Sequence, residues 1–319
     1  MVDPFCGALF TSPGEPIFRL MRIHLLGAST PTGRAFQQLV AASDPVVELR
    51  TYSRIDPAME RLDLGNASSL KPSFCGSGDL WISFAPIWLL ASFVQDVQHL
   101  KPGLLDVLAG VIACSSSSAI TKRFASNRFD RNLVQRLQEA EATLQREMQS
   151  LGVPLQILSP TLIYGACGDR GDRNLSRLIG LMRRLPFLPL PASSGQRQPI
   201  HVSQLAAVAW HVARMMASSS YSPAPQEPIV CGGDEALSYS DMLRRLQQAL
   251  PHDDPARRCR LIEVPQRLFF TAASPLQLIS PKVFEAVLRM GADLSGFMPA
   301  HELLQQPRQT FPLLPLAMP

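Results

Sequence analysis

The chain has 319 residues, 46% of them hydrophobic and 18% charged, with a formal net charge of +4. That length and apolar content suit one large α/β unit with an appended lobe, and they exclude a disordered polymer or a small stapled scaffold. The mild positive excess without dense Lys/Arg blocks argues against a nucleic-acid binder.

Residues 1–20 lack a basic start followed by an apolar run, so they read as an N-terminal extension rather than a secretory leader. Arg22 to Leu26 is an apolar run that reads as the first strand. The glycine-bearing turn Gly27-Ala28-Ser29-Thr30-Pro31-Thr32-Gly33 follows it, and a helix is expected from about Gly33 to Ala42. Strands are expected over Val46–Tyr52, Leu80–Phe84, Gly110–Cys114 and Leu155–Leu158, with a long amphipathic helix over Asn132–Leu151. The stretch Leu80–Val94 contains Pro86 and two serines and is too short to span a bilayer, so it reads as strand, turn and helix. Strands alternating with helices predict a parallel sheet in a doubly wound Rossmann-like fold, with a core over 21–165.

Beyond residue 166 the alternation weakens. Helices are expected over Asn174–Arg184, Val202–Ala217, Ser238–Leu250 and Pro281–Met290 between proline-rich links. These form a smaller, mainly helical substrate-side lobe over 166–312 that includes returning elements of the core. A loosely structured Pro-rich tail is expected after Phe311, with 313–319 as its end. The six cysteines are scattered, with neither CxxC pairs nor histidines at zinc spacing, which suits reduced thiols in a cytoplasmic protein with no metal site.

A glycine turn placed directly between an apolar strand and a helix aims backbone N–H groups at the helix N-terminus, where a pyrophosphate can sit. Gly27, Ser29, Thr30, Pro31, Thr32 and Gly33 are therefore the candidate dinucleotide cradle. About twenty residues after the last glycine, where an acid would hold the ribose of NAD, stand Ser53 and Arg54. An Arg there can pair with a 2′-phosphate, which tilts the cofactor choice mildly toward NADP. Asp56 keeps NAD open, and Arg54 can equally be a solvated surface residue.

Further along, several short motifs occur together. These are Ser115-Ser116-Ser117-Ser118 with Thr121-Lys122, Ser159-Pro160-Thr161-Leu162-Ile163-Tyr164-Gly165, Asp172-Arg173-Asn174 ahead of Leu175, Gln198-Pro199-Ile200-His201-Val202, and Arg289-Met290 with Asp293-Leu294. With them the chain resembles, over roughly residues 21–312, the atypical or extended short-chain dehydrogenase/reductases of the NAD-dependent epimerase/dehydratase type. Its nearest likeness is to a bacterial subgroup that lacks the Tyr-x-x-x-Lys pair.

The resemblance implies an NAD(P)-binding oxidoreductase or isomerase acting on a small or nucleotide-linked hydroxyl or carbonyl substrate. It also implies that Asp63 and Leu64 flank adenine and that Ala85 passes the nicotinamide ribose. In this superfamily a Ser after the fifth strand polarises the substrate oxygen, a role that falls on Ser116 or Ser117, although a serine-rich turn without chemistry fits the same letters. The family's Tyr and Lys positions carry Leu133 and Leu137 when the helix is aligned on Glu139-Ala140-Glu141. Lys122 is the nearest alternative cation, or else a solvated loop residue.

Three departures weaken the expectation of turnover. Thr30 stands where the GxxGxxG pattern has its middle glycine, with a side chain able to crowd the phosphates. Ser159 replaces an Arg, and Ser203-Gln204 replace acids after His201. On the substrate side Arg173 and Asn174 are the candidate polar contacts, against a helix-capping role for Asp172. His201 is a candidate ligand contact or a structural histidine. A second reading is a catalytically silent dinucleotide-binding module that senses redox state or scaffolds an assembly. Substrate and oligomeric state are open at this level.

Overall fold

A computed structural model describes residues 21–70, 74–125, 127–218 and 226–316. The N-terminal extension and residues 317–319 lie outside the described residues.

The first half runs β1 (Arg22–Leu26), α1 (Pro31–Ser43), β2 (Glu48–Ser53), β3 (Glu60–Arg61), β4 (Leu80–Ser83), α2 (Ile87–Leu100), β5 (Gly110–Cys114), α3 (Ser118–Thr121), α4 (Arg128–Leu151) and β6 (Leu155–Leu158). All six strands are parallel, in the order β3-β2-β1-β4-β5-β6. The order reverses at β1, so the crevice between the carboxyl ends of β1 and β4 is the natural ligand position of such a sheet.

Strand alternation explains how both faces fill. Ile23 and Leu25 of β1 project into a cluster with Phe36 and Val40 of α1 and with the apolar stripe of a returning helix, α6 (Val202–Ala217). Leu26 projects the other way, onto Trp81, Phe93 and the α4 stripe Leu137, Ala140, Leu144 and Met148. That stripe has helical spacing, and each large side chain buried in it contributes roughly 1.5–3 kcal/mol. Asn127 caps α4 by accepting from the Asp130 N–H, and Gly152 ends it at φ +67°. The helix therefore starts at Arg128, one turn earlier than the periodicity suggested, because the cap residue precedes its first apolar position.

The second half contains β7 (Ile163–Tyr164), the hairpin β8 (Ala166–Cys167) and β9 (Arg170–Gly171), α5 (Asn174–Arg184), β10 (Phe187–Pro191), β11 (Gln196–Arg197), β12 (Ile200–His201), α6, β13 (Cys231–Gly232) and β14 (Leu237–Ser238). It continues with α7 (Tyr239–Ala249), β15 (Arg260–Val264), α8 (Gln266–Ala273), α9 (Leu276–Ile279), α10 (Pro281–Leu288), β16 (Met298–Pro299) and α11 (Ala300–Leu304). Short two-stranded pairs join distant segments, among them the parallel pairs β7 with β12 and β10 with β15. A third cluster, built from α5, α7 and Leu188 and Leu190 of β10, forms the core of the lobe.

The loosely structured tail expected after Phe311 is corrected for residues 311–316. Phe311 and Leu316 are buried in this third cluster. The Leu313 N–H donates to the Tyr164 hydroxyl at 2.9 Å, and the Pro315 carbonyl accepts from the Ala166 N–H at 3.0 Å. The proline-rich segment is held as a strap through a few of its own N–H and carbonyl groups. The five described cysteines are free thiols.

Candidate functional site

The loop between β1 and α1 folds back on itself through its two glycines. Gly27 has φ +71°, and a Cβ on it would lie 2.6 Å from the Ala85 nitrogen. A Cβ on Gly33 would lie 2.6 Å from the Gly27 carbonyl oxygen. Both contacts are with backbone, so neither position accepts a side chain. The chain thereby brings the exit of β4, at Ala85-Pro86, against the glycine loop at the crevice the topology defines.

Thr30 sits between them in ordinary extended geometry, φ −72° and ψ 157°, and needs no glycine. Its hydroxyl donates to the Gly27 carbonyl at 2.8 Å and accepts from the Gly33 N–H at 3.0 Å, so it is the N-cap of α1. Pro31 occupies the first helical position, where a missing N–H costs nothing. The cap uses one of the amides that could face an anion. Among the described residues no acceptor meets the N–H of Ser29 or Thr32, and these remain available to a phosphate at a helix N-terminus.

The rim of the loop joins the end of β2. The Ser53 hydroxyl donates to the Ser29 hydroxyl at 2.9 Å and accepts from the N–H groups of Ile55 and Asp56. Arg54 is exposed. The Asp56 carboxylate pairs with Arg34 at 2.7 Å, and Arg34 also lies 3.4 Å from Asp169 at the tip of the β8–β9 hairpin. Arg34 is thus a cation beside the expected ribose position that the sequence reading missed. Its signal was present, a base one residue beyond the last loop glycine on the first turn of α1. Asp63 accepts from the Gly65 N–H at 2.9 Å, and Leu64 packs in the core on the α2 side.

At the end of β5 the serine run turns into α3. The Ser115 N–H donates to the Leu158 carbonyl and its hydroxyl donates to Glu141 of α4. Burial pushes the Glu141 carboxyl up, and the Ser115 hydrogen bond opposes the shift. Ser116 is half-buried and accepts from the Ser118 N–H at 3.2 Å, while Ser117 is buried at the head of α3. Leu137 is buried in the core and Leu133 packs on its edge, so apolar side chains fill the two positions aligned with Tyr and Lys.

The Lys122 ammonium is engaged. It lies 2.8 Å from one oxygen of Asp130, whose other oxygen accepts from Arg289 and Asn127 at 2.8 Å each. Asp130 is 3% exposed. Burial works against its ionisation, but the donors Lys122, Asn127 and Arg289 outweigh it and hold the carboxyl well below the usual carboxylate range. Asn127 also binds Glu285 of α10 through both its backbone N–H and its side-chain amide.

On the substrate side Asp172 caps α5, accepting from the N–H groups of Asn174 and Leu175 at 2.7 Å each and from Gly165 at 3.0 Å. The Asn174 amide donates to the Ile163 carbonyl at 3.2 Å, and Arg173 stands at the exposed start of the helix. His201 is 2% exposed and caps α6 through Nδ1, which accepts from the Ser203 N–H, while Gln204 accepts from the His201 N–H. Its Nε2 therefore carries the proton and faces the Pro315 carbonyl at 3.5 Å. Burial lowers its pKa. A Cβ on Gly165, at φ +102°, would lie 2.2 Å from that Nε2. Thus His201 and Ser203-Gln204, the pair standing in place of the family's acids, form a capping box against the C-terminal strap. Among the described residues no cluster of His, Cys, Asp and Glu is placed to hold a metal.

No family model matches the chain, and no curated protein matches it. Solved structures do. A UDP-glucuronic acid 4-epimerase from Bacillus cereus, in complex with UDP-glucuronic acid and NAD, superposes with a TM-score of 0.58 at 14% identity, covering 91% of this chain and 95% of its own. The NADPH-dependent quinone oxidoreductase QOR2 of Escherichia coli, complexed with NADPH, gives 0.58 at 15% identity, covering 90% and 96%. The human epimerase family protein SDR39U1 with NADPH gives 0.57 at 14%, covering 92% and 96%. The chain has the Rossmann-like fold of these structures.

Proposed function

We propose that the protein is an NAD(P)-binding oxidoreductase, with NADP preferred, that reduces a carbonyl substrate without a tyrosinate base. The observation that carries the reading is the glycine loop. Gly27 and Gly33 stand where any Cβ would strike backbone, and among the described residues the N–H groups of Ser29 and Thr32 in the same loop have no acceptor. A bound nicotinamide dinucleotide supplies hydride.

The residues of the chain divide the remaining work. Ser29 and Thr32 hold phosphate oxygens through their N–H groups, aided by the positive end of α1. Arg54 and Arg34 flank the ribose at the end of β2, and the Asp56 carboxylate, already paired with Arg34, is not free to accept from a 2′-hydroxyl. That favours a 2′-phosphate. Ser116 and Ser117 present hydroxyls at the end of β5 to a substrate oxygen. With Leu133 and Leu137 in the helix and Lys122 bound to Asp130, the site has no free Tyr or Lys base among the described residues, and the Glu141 carboxyl is engaged by Ser115. It therefore suits a conjugated carbonyl, whose reduced form spreads its charge and takes its proton from water, better than an isolated secondary alcohol. Arg173 and Asn174 border the side where a nucleotide-linked or small acceptor enters. The apolar replacement of Tyr and Lys also favours the second reading, a silent dinucleotide-binding module.

Titration of the protein with NADPH and NADH, followed by cofactor fluorescence and thermal shift, tests the proposal. NADPH is expected to bind more tightly. In the paired Arg34→Ala and Arg54→Ala variant its advantage is expected to fall by roughly tenfold, on the order of one charge-assisted hydrogen bond, with NADH bound no more weakly because Asp56 is released. Binding of neither cofactor overturns both readings. Binding without oxidation of NADPH by conjugated carbonyls or sugar nucleotides leaves the silent module.

A further inference from the structure

Among the described residues no helix is long and apolar enough to cross a membrane. One face is nevertheless built of exposed apolar side chains and cations. The α3–α4 connection carries Phe124 and the first turn of α4 carries Phe129, 87% and 53% exposed, and each ring has the guanidinium of the preceding residue above it, Arg123 at 4.7 Å and Arg128 at 5.1 Å. Next to it the α9–α10 pair exposes Leu278, Ile279 and Val283, the first two at 91% and 78%.

The two segments are locked side by side. Glu285 of α10 binds Asn127, and Arg289 binds Asp130, so apolar residues far apart in sequence border one joint. The same joint removes negative charge from the surface. Asp130 and Glu285 are the acids of segments 118–131 and 265–290, and both are buried and paired with cations or amide donors. The charged side chains left outward in these segments are positive, beside exposed aromatic and aliphatic ones.

We infer that this face, formed by the α3–α4 connection and the α9–α10 pair, docks the protein on an anionic lipid surface. Partly inserted Phe and Leu side chains with Arg at headgroup level are the chemistry of an interfacial protein rather than a spanning one. Charge decides against a second copy of the chain as occupant. A two-fold contact would set Arg123 and Arg128 against a copy of the same patch, whose acids are already consumed. An anionic headgroup layer supplies the missing counter-charge.

The test is co-sedimentation of the full chain with phosphatidylcholine vesicles that contain or lack phosphatidylglycerol. Binding is expected only with the anionic lipid and is expected to weaken as salt rises. The double variant Phe124→Ser with Phe129→Ser, and separately Arg123→Glu with Arg128→Glu, should each lower the bound fraction by roughly tenfold or more. These positions are exposed, so an unchanged melting temperature confirms that folding is intact. No binding to anionic vesicles overturns the inference, as does binding that survives both variants. Sedimentation velocity without lipid is expected to show no association that these substitutions dissolve. A dimer lost in both variants would reassign the face to self-association and overturn the lipid reading.

Discussion

The glycine loop and the joint between α4 and α10 are both held by caps and charged groups, but they are assembled in opposite ways. In the loop the cap bonds close within a few residues, and Ala85 and Ser53 then meet it from the neighbouring strands. Thr30 bonds Gly27 and Gly33, and Gly33 touches Gly27 and Ala28. In the joint, Asn127 and Asp130 find Glu285 and Arg289, which lie 158 and 159 residues away. The first is an arrangement of backbone, and the second exists only when two distant segments are already folded. A similar long-range closure links Tyr164 and His201 to the strap at Leu313 and Pro315.

This contrast can be broken most forcefully at Asp130. Replacing it by Ala leaves Lys122 and Arg289 without their shared carboxylate, and the loss of a largely buried pair costs about 3 kcal/mol. Urea unfolding should show that loss, and a change below about 1 kcal/mol would mean that the joint contributes little.

A smaller effect is expected from acid. His24 is buried between Tyr52 and Asp79, and desolvation lowers its pKa despite the Asp79 hydrogen bond. Burial also lowers His201 beneath the C-terminal strap. For both, the unfolded chain takes up its proton near pH 6.5 while the folded chain resists, so stability is full above that pH and is lost progressively below it. A second loss follows under more acidic conditions, as Asp130, held low by its donors, is finally protonated. Denaturant midpoints measured on either side of about pH 6.5 check the first stage. Midpoints that do not fall on acidification through this range would contradict the assigned burial.

The smallest change in stability is expected at the loop. Thr30→Gly removes the cap hydroxyl but keeps a tolerated cap residue, at a cost of a few tenths of a kcal/mol to about 1 kcal/mol. It also frees the Gly33 N–H toward the cradle, so dinucleotide affinity should rise severalfold as the melting temperature slips. Weaker binding would show that the Thr30 hydroxyl serves the ligand as well as the helix.

Much of the fold was legible from pattern. The strand Gly110–Cys114 and the helices Asn174–Arg184 and Val202–Ala217 fall where periodicity puts them, because an apolar run ended by Gly, Pro or a cap residue is a local signal. Strand β10 was not legible. Its FLPLP reads as a proline-rich link, and only parallel pairing with Arg260–Val264 makes it a strand. Of the candidate site, the loop glycines could be read locally. Lys122 and His201 could be named but not given partners, and Arg34 and Glu141 were missed because their importance comes from Asp56 and Ser115 across the fold.

The sequence by itself determined the parallel α/β pattern, the need for glycine at 27 and 33, and the presence of Leu133 and Leu137 in place of a tyrosine and a lysine. Only the tertiary structure decided that Thr30 is a helix cap, that residues 311–316 form a strap, that Lys122 answers to Asp130, and that the acids beside Phe124 and Phe129 are buried. The first group is written in spacing and residue type, although the close approach that demands glycine at 27 is with Ala85 on the neighbouring strand. The second depends on contacts across the fold, which no spacing encodes.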